Sequence, residues 1–205
     1  MIDDRRRSRL ALAGGAISAL ALGVCLGRTP TADPDADLVA EVARADASLA
    51  AFWHGDGRTL LFSGSWASPC GAVGEGTGPA YCAADDTVYL DPRFLLQLRS
   101  TLPRAYVVAH EWGHRVARRR GLHGAPPFGG ELLADCLAGA WIGDAWQRGQ
   151  VPLGDLDEVL EAAAEAGDDV RGVPIEAWSH GAASERARAV SVGLAGVDAC
   201  ARYQR

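Results

Sequence analysis

The sequence predicts an α+β domain that is dominated by helices and carries a small antiparallel sheet. Helical periodicity recurs along most of the chain, whereas runs of β-formers are few and short. The 205 residues are 48% hydrophobic, which suffices for one core and leaves little room for a second domain. The formal net charge of -6 argues against a basic face for nucleic acid. We therefore expect one globular domain with appendages and no nucleic-acid partner.

The N-terminal segment has the charge pattern of an export signal. Arginines at positions 5, 6, 7 and 9 precede an apolar run over residues 10–26, and export machinery recognises a positive flank before a short hydrophobic stretch. Residues 1–28 are predicted to be a signal peptide, or a membrane anchor if they stay uncleaved. Lipidation of Cys25 is an alternative to its burial in the apolar segment. The domain then lies outside the cytoplasm, either membrane-anchored or secreted.

Residues 29–36 are rich in Pro, Asp and Thr and show no apolar period, so they are predicted to tether the leader to a domain at 37–205. The first element of that domain is a predicted helix. Leu38 and Leu49 belong to an apolar series with spacings of three and four residues, as an amphipathic helix requires. A short strand is expected at 59–63.

A second β-rich run, Thr87–Leu90, ends at Asp91, which is suited to cap a helix with proline in its first turn. We expect a break at Pro103, followed by a helix that ends before Gly121, a natural C-cap. A loop rich in Pro and Gly then separates this helix from three more. The helices predicted after Asp91 cover about residues 92–99, 104–120, 131–147, 155–166 and 184–194.

Two histidines four residues apart form the strongest chemical signal of the chain. His110 and His114 present their imidazoles on one helical face, where they can share a metal. A catalytic zinc takes three protein ligands and keeps one position for water, so a third ligand is required. Glu131 begins the next helix, after a loop long enough to reverse the chain, and Asp135 follows one turn later. We predict that Glu131 completes the ligand set and that Asp135 accepts the spare N–H of a ligating histidine.

Glu111, next to the first histidine, is the predicted general base, which takes a proton from water as the water attacks a peptide carbonyl. A His-Glu-x-x-His match alone arises by chance in roughly one in a few hundred chains of this length. This match falls on a predicted helix, precedes a Glu-x-x-x-Asp spacing on another, and lies in a domain predicted to be exported. Together these features favour a site for one catalytic Zn²⁺ ion over an accidental surface pair.

Five segments resemble, in order along the chain, the bacterial family of neutral zinc metallopeptidases. They are GPAYC (78–82), VYLD (88–91), AYVVAHEWGH (105–114), ELLADCLAG (131–139) and SHGAASER (179–186). The resemblance implies a zincin-like fold and peptidase chemistry on a peptide or protein substrate. By analogy with other zincins, Thr87–Leu90 is a candidate edge strand to which an extended substrate adds. Ala80 stands where this family is expected to have a bulkier aromatic, which alters any subsite there.

His180 lies in the last of these segments and is a candidate donor to the oxyanion formed during peptide hydrolysis. An equally weighted alternative is structural: His180 and Ser184 cap the final helix, while Glu185 and Arg186 form an ion pair. Tyr106, one turn before the first histidine, is a second candidate donor, although its position favours a place in the core.

The domain contains four cysteines, Cys70, Cys82, Cys136 and Cys200. An exported domain meets an oxidising compartment, so an even count predicts two disulfides. Four cysteines allow three pairings, and the sequence alone does not choose among them. Because Cys70 and Cys82 flank a glycine-rich loop, we favour that local bridge, which leaves Cys136 to pair with Cys200.

The predicted function is zinc-dependent hydrolysis of peptide bonds by an endopeptidase with Glu111 as general base. One alternative is a non-enzymatic protein that keeps the zinc scaffold in order to bind a peptide or another partner. Another is a structural zinc site whose four positions are all filled by protein, with His180 as the fourth ligand. The presence of Glu111 favours the enzyme, since a binding protein has little need of a base at that position.

Overall fold

A computed structural model describes residues 34–62, 64–73, 78–150, 156–168 and 179–204. The predicted leader at 1–28, with Cys25, lies outside the described residues, as does most of the predicted tether. Within the described ranges, no helix is both long enough and apolar enough to cross a membrane.

The first helix, α1 (Pro34–Trp53), begins three residues before the predicted start of the domain. The apolar series read from the sequence faces the core, and both Leu38 and Leu49 are buried. Asp46 lies on the same helix and accepts hydrogen bonds from the Trp112 indole at 2.8 Å and from the Thr59 hydroxyl at 2.5 Å. This carboxylate therefore joins α1 both to the sheet and to the helix that carries the histidines.

Five short strands follow α1. They are β1 (Arg58–Leu61), β2 (Trp66–Ser68), β3 (Gly71–Val73), β4 (Ala80–Cys82) and β5 (Thr87–Leu90). β2 and β3 form an antiparallel pair of their own, while the other three form a sheet in the order β1-β5-β4. The predicted combination of a small sheet with a majority of helix is thus confirmed.

The prediction of an antiparallel sheet is only half right. β4 and β5 are antiparallel neighbours joined by a tight turn, but β1 runs parallel to β5. The connection from β1 to β5 contains three intervening strands, and a connection of that length can bring the chain back in the same direction. The prediction that Thr87–Leu90 is an edge strand is wrong, because β5 is the central strand and all four of its residues are buried. The edges of the sheet are β1 and β4.

Five α-helices and a short 3₁₀ helix complete the described chain. They are α2 (Pro92–Gln97), α3 (Thr101–Arg119), α4 (Gly129–Gln147), α5 (Leu156–Glu165), α6 (Ala183–Gly193) and the 3₁₀ helix Val197–Tyr203. The predicted break at Pro103 is wrong, since Pro103 is the third residue of α3. The first N–H groups of a helix have no intrahelical acceptor, so proline is tolerated there.

Helix α4 lies between α3 and α6, and glycines permit the close approach on both sides. A Cβ added at Gly113 of α3 would lie 2.6 Å from the Ala134 carbonyl oxygen of α4. A Cβ added at Gly139 of α4 would lie 2.2 Å from the Val190 carbonyl oxygen of α6. Gly113 thus brings together the two helices that carry the predicted ligands, whereas Gly139 packs α4 against α6.

Both favoured disulfides are present. Cys70 and Cys82 are bonded at an S–S distance of 2.08 Å, and Cys136 and Cys200 at 2.05 Å. The second bridge ties the middle of α4 to the C-terminal 3₁₀ helix. Two disulfides agree with an oxidising, extracytoplasmic compartment.

Candidate metal centre

Three side chains from two helices meet at one point. His110 and His114 lie one turn apart on α3, and their Nε2 atoms are 3.1 Å from each other. Glu131, in the first turn of α4, places Oε2 at 3.3 Å from His110 Nε2 and Oε1 at 3.3 Å from His114 Nε2. In the described part of the chain, these three side chains form a group that could hold a metal ion. Each side chain offers one ligand atom, and these atoms lie within 4.8 Å of one another.

The separations fit a zinc ion. In a tetrahedral site with metal–ligand bonds of about 2.0–2.2 Å, neighbouring ligand atoms lie about 3.3–3.6 Å apart. The two histidine Nε2 atoms lie 3.1 Å apart, close to such an edge, and each lies 3.3 Å from a different oxygen of Glu131, either of which could serve as the third ligand atom. Two imidazole nitrogens and one carboxylate oxygen are also a ligand set typical of catalytic zinc, which keeps its fourth position for water.

The backbone contact at Gly113 explains how the third ligand reaches the pair. Gly113 immediately precedes His114, and it lies against Ala134, which is three residues after Glu131. The absence of a side chain at Gly113 lets α4 approach α3 beside the imidazoles. The short glutamate side chain then spans the remaining distance between the helices.

Asp135 lies behind the predicted ligands and is completely buried. Its Oδ1 accepts hydrogen bonds from His110 Nδ1 at 2.8 Å and from the Tyr106 hydroxyl at 2.7 Å. Arg186 of α6 donates to both oxygens, from Nε to Oδ2 and from Nη2 to Oδ1, each at 2.8 Å. A proton held at Nδ1 by Asp135 leaves the Nε2 lone pair of His110 directed at Glu131 and His114, as metal ligation requires.

The electrostatics of the metal-free site follow from these contacts. Burial lowers the pKa of His110, but the charge and hydrogen bond of Asp135 outweigh it and raise the pKa to about 10. Burial raises the pKa of Glu131, yet hydrogen bonds from both histidines hold it well below its usual range. The pKa of Asp135 is also lowered against the effect of burial, chiefly by the charge of His110 and by its bond to Arg186. The charged His110 imidazole and the carboxylates of Glu131 and Asp135 thus stabilise one another in the metal-free site. A metal cation would take the place of the His110 imidazole proton.

A cavity of about 620 Å³ opens beside the ligands. His110 and Glu111 lie in its wall, together with Gly78 and Pro79 just before β4, Phe94 and Gln97 on α2, and His180. A cavity of this volume is of the size that binds small ligands and segments of peptide. The predicted base therefore faces a cavity that also adjoins His110, one of the predicted metal ligands.

His180 also faces this cavity, on a side chain that is 53% exposed. Its backbone N–H and those of Ser179 and Gly181 all donate to the carboxylate of Asp168, at 2.7 to 2.9 Å. His180 Nδ1 lies 2.8 Å from the Ser179 hydroxyl oxygen and 3.5 Å from Asp168 Oδ1. Asp168 therefore anchors the turn that carries His180, and it had no signal in the sequence.

The alternative reading of this segment as a helix cap does not hold. The N-cap of α6 is Ala182, whose N–H donates to the Glu185 carboxylate at 3.2 Å, so neither His180 nor Ser184 provides the cap. The expected ion pair between Glu185 and Arg186 is also replaced, because the Arg186 guanidinium binds Asp135. Consecutive residues on a helix point in different directions, which separates these two side chains.

Tyr106 is buried, and its hydroxyl donates to Asp135. Burial and the neighbouring Asp135 carboxylate raise the pKa of Tyr106 well above its usual value. Tyr106 is therefore a core residue and a partner of Asp135. Sequence reasoning missed this contact and that of Arg186, although the resemblance of 179–186 to the family could have singled out Arg186.

Residues 52–125 match the family described as "Putative neutral zinc metallopeptidase". This is the family that the five sequence segments resemble, so the resemblance is confirmed. The match includes all of α3, with His110, Glu111 and His114, and ends before Glu131 at the start of α4.

Several curated relatives carry no assigned activity. The chain is 32% identical over 157 residues to "Uncharacterized protein YpfJ" of Escherichia coli K12, an alignment that covers 63% of this chain and 54% of the relative. It is 34% identical over 167 residues to "Uncharacterized protein Rv2575" of Mycobacterium tuberculosis H37Rv, covering 65% and 57% respectively. The chain thus spans little more than half the length of these relatives. No solved structure matches it.

Proposed function

We propose that this chain, whose residues 52–125 match the neutral zinc metallopeptidase family, is a zincin-like peptidase that hydrolyses peptide bonds with one zinc ion. The observation that carries the proposal is the convergence of His110, His114 and Glu131, whose ligand atoms lie within 4.8 Å of one another, with Glu111 in the cavity wall beside His110. These three side chains would hold the ion, and the hydrogen bond from His110 to Asp135 would fix the orientation of that imidazole.

The chemistry divides between the ion and the protein. A zinc ion held there would lower the pKa of a bound water towards neutrality and would stabilise negative charge on a carbonyl oxygen. Glu111 accepts the proton of the attacking water and then delivers it to the leaving amine. His180, on the turn anchored by Asp168, donates a hydrogen bond to the oxyanion from the same cavity.

An extended peptide substrate adds to the sheet at β4. β4 is an edge strand, and Gly78 and Pro79, which directly precede it, line the cavity. A peptide that forms main-chain hydrogen bonds with β4 is thereby led towards Glu111. The domain works outside the cytoplasm, and residues 1–28 attach it to the membrane if they are not removed.

The experiment is to purify the exported protein, measure its zinc content and assay cleavage of a peptide library by the wild type and by Glu111→Gln. Both proteins should bind one zinc ion, and the variant should cleave about 10²- to 10⁴-fold more slowly, the contribution of a general base. Glu161→Gln is the matched control, since its carboxylate lies on the surface of α5 with 66% of the side chain exposed.

The rival function is binding without catalysis, by a protein that keeps the zinc scaffold to hold a peptide or partner. Bound zinc with no cleavage by either wild type or Glu111→Gln would favour this rival over the peptidase. Wild-type protein that binds no zinc would refute both.

A further inference from the structure

We infer that Arg186 is a positioning residue for the metal centre and that it acts through Asp135 on His110. The inference rests on the proposed function only in taking the metal to be zinc. Arg186 lies on α6, far along the chain from the ligands, and its side chain is 4% exposed. A guanidinium buried to that extent must have its donors and its charge satisfied inside the protein.

The guanidinium meets Asp135 as a fork. Nε donates to Oδ2 and Nη2 donates to Oδ1, both at 2.8 Å, so the carboxylate cannot rotate without breaking one of the two bonds. Nη1 is held by the Ala166 carbonyl oxygen at 2.9 Å, beyond the C-terminal end of α5. Arg186 is therefore fixed from two sides, and it fixes the plane of the Asp135 carboxylate in turn.

The plane of that carboxylate sets the position of the imidazole. Asp135 Oδ1 receives three donors, namely Arg186 Nη2, the Tyr106 hydroxyl and His110 Nδ1. Arg186 Nη2 and His110 Nδ1 lie only 3.3 Å apart because both are directed at this oxygen. Loss of the fork frees Oδ1 to turn, and the imidazole that follows it carries Nε2 away from Glu131 and His114.

Arg186 also balances the charge of the site. At or next to the predicted ligands lie three carboxylates, those of Glu111, Glu131 and Asp135. A divalent ion and Arg186 together carry the positive charge that offsets these three negative charges. Arg186 Nη2 is 3.9 Å from Glu131 Oε2 but only 2.8 Å from Asp135 Oδ1. The positive charge of Arg186 therefore offsets mainly that of Asp135, and the Glu131 carboxylate remains available to the metal.

The test is the zinc affinity of the whole protein, measured by competition with a chelating dye, for wild type, Arg186→Gln and Arg186→Lys. Partners behind metal ligands typically change metal affinity by about 10- to 100-fold, and we expect a loss of that size for Arg186→Gln. Arg186→Lys keeps the charge but not the fork, so it should restore only part of the affinity.

Arg115→Gln is the matched control. Arg115 has the same 4% side-chain exposure and makes the same kind of fork, with Nε and Nη2 on the two oxygens of Asp86 at 3.0 and 2.9 Å. That pair joins α3 to the β4–β5 turn and does not contact Asp135. Its loss should lower the melting temperature while leaving the zinc affinity of the folded protein within about twofold of wild type, the pattern of a purely structural role.

A second measurement serves if Arg186→Gln does not fold. In zinc-loaded wild type and in Arg186→Lys, NMR of the His110 Nδ1 proton reports its hydrogen bond to Asp135, and we expect faster solvent exchange of this proton in the lysine variant. Unchanged zinc affinity and unchanged exchange in the Arg186 variants would overturn the inference and leave the proposed peptidase intact. If the Arg186 variants bind zinc more weakly as expected but the wild type cleaves no peptide, the inference is supported and the proposed peptidase is overturned.

Discussion

Gly113→Ala should disrupt the metal centre by separating the two helices that form it. The added Cβ would lie 2.6 Å from the Ala134 carbonyl oxygen and 2.8 Å from its Cα, and the three nearest atoms all belong to the backbone of Ala134. Ordinary contact of a Cβ begins at 3.4 Å, so α3 and α4 must move apart by several tenths of an ångström. Overpacking of this kind costs about 1–3 kcal/mol in the free energy of unfolding.

The same displacement acts on the ligands. His114 follows Gly113 directly, and its Nε2 lies 3.3 Å from Glu131 Oε1 across the helix pair. A shift of about 1 Å near reacting groups can lower a rate by about 10²-fold, so peptide cleavage should fall by up to about that factor even in the fraction of the protein that stays folded. Zinc affinity should fall as well, because Glu131 no longer reaches the ion with the histidines in place.

The assay is zinc titration, thermal unfolding and peptide cleavage of Gly113→Ala beside Gly130→Ala. Gly130 lies in the first turn of α4, is exposed, and a Cβ there meets nothing within 4 Å. Alanine at Gly130 should be neutral or stabilise the protein by up to about 1 kcal/mol. Wild-type zinc affinity and cleavage in Gly113→Ala would refute the view that this contact brings Glu131 to the histidines.

Two further predictions concern stability. The pKa of His110 is raised from 6.5 to about 10 in the folded metal-free protein, so its protonation stabilises the fold below pH 6.5 and that stability is lost as pH rises through 10. Thermal unfolding in EDTA at pH 6.5 and pH 10.5 should show this loss in wild type and a smaller one in His110→Gln; equal losses would contradict it. The Cys136–Cys200 bridge closes a sequence separation of 64 and the Cys70–Cys82 bridge one of 12. Replacing both cysteines of a bridge by serine should lower the free energy of unfolding by about 4 kcal/mol for the longer loop and about 3 kcal/mol for the shorter. Denaturant unfolding of the two double variants measures the difference, and a greater loss from the shorter loop would count against it.

The sequence predicted the helices well because their signals are local. The apolar series of α1, the Gly121 stop after α3 and the β-rich run of β5 depend on residues a few positions apart. Pro103 misled the prediction because proline breaks a helix in its interior and not in its first turn. The sequence also did not predict that β1 runs parallel to β5, since strand pairing depends on the path of the intervening chain.

By itself, the sequence determined the spacing of His110 and His114 and the spacing of Glu131 and Asp135, because residues four apart share a face of any helix. The sequence could not determine which residues of different helices and turns contact one another. Only the tertiary structure decided that Gly113 lies against Ala134, that Arg186 binds Asp135 rather than Glu185, and that Asp168 anchors the turn of His180. Each of these contacts joins distant parts of the chain, and its partner is selected by close packing and by the need to pair buried charge.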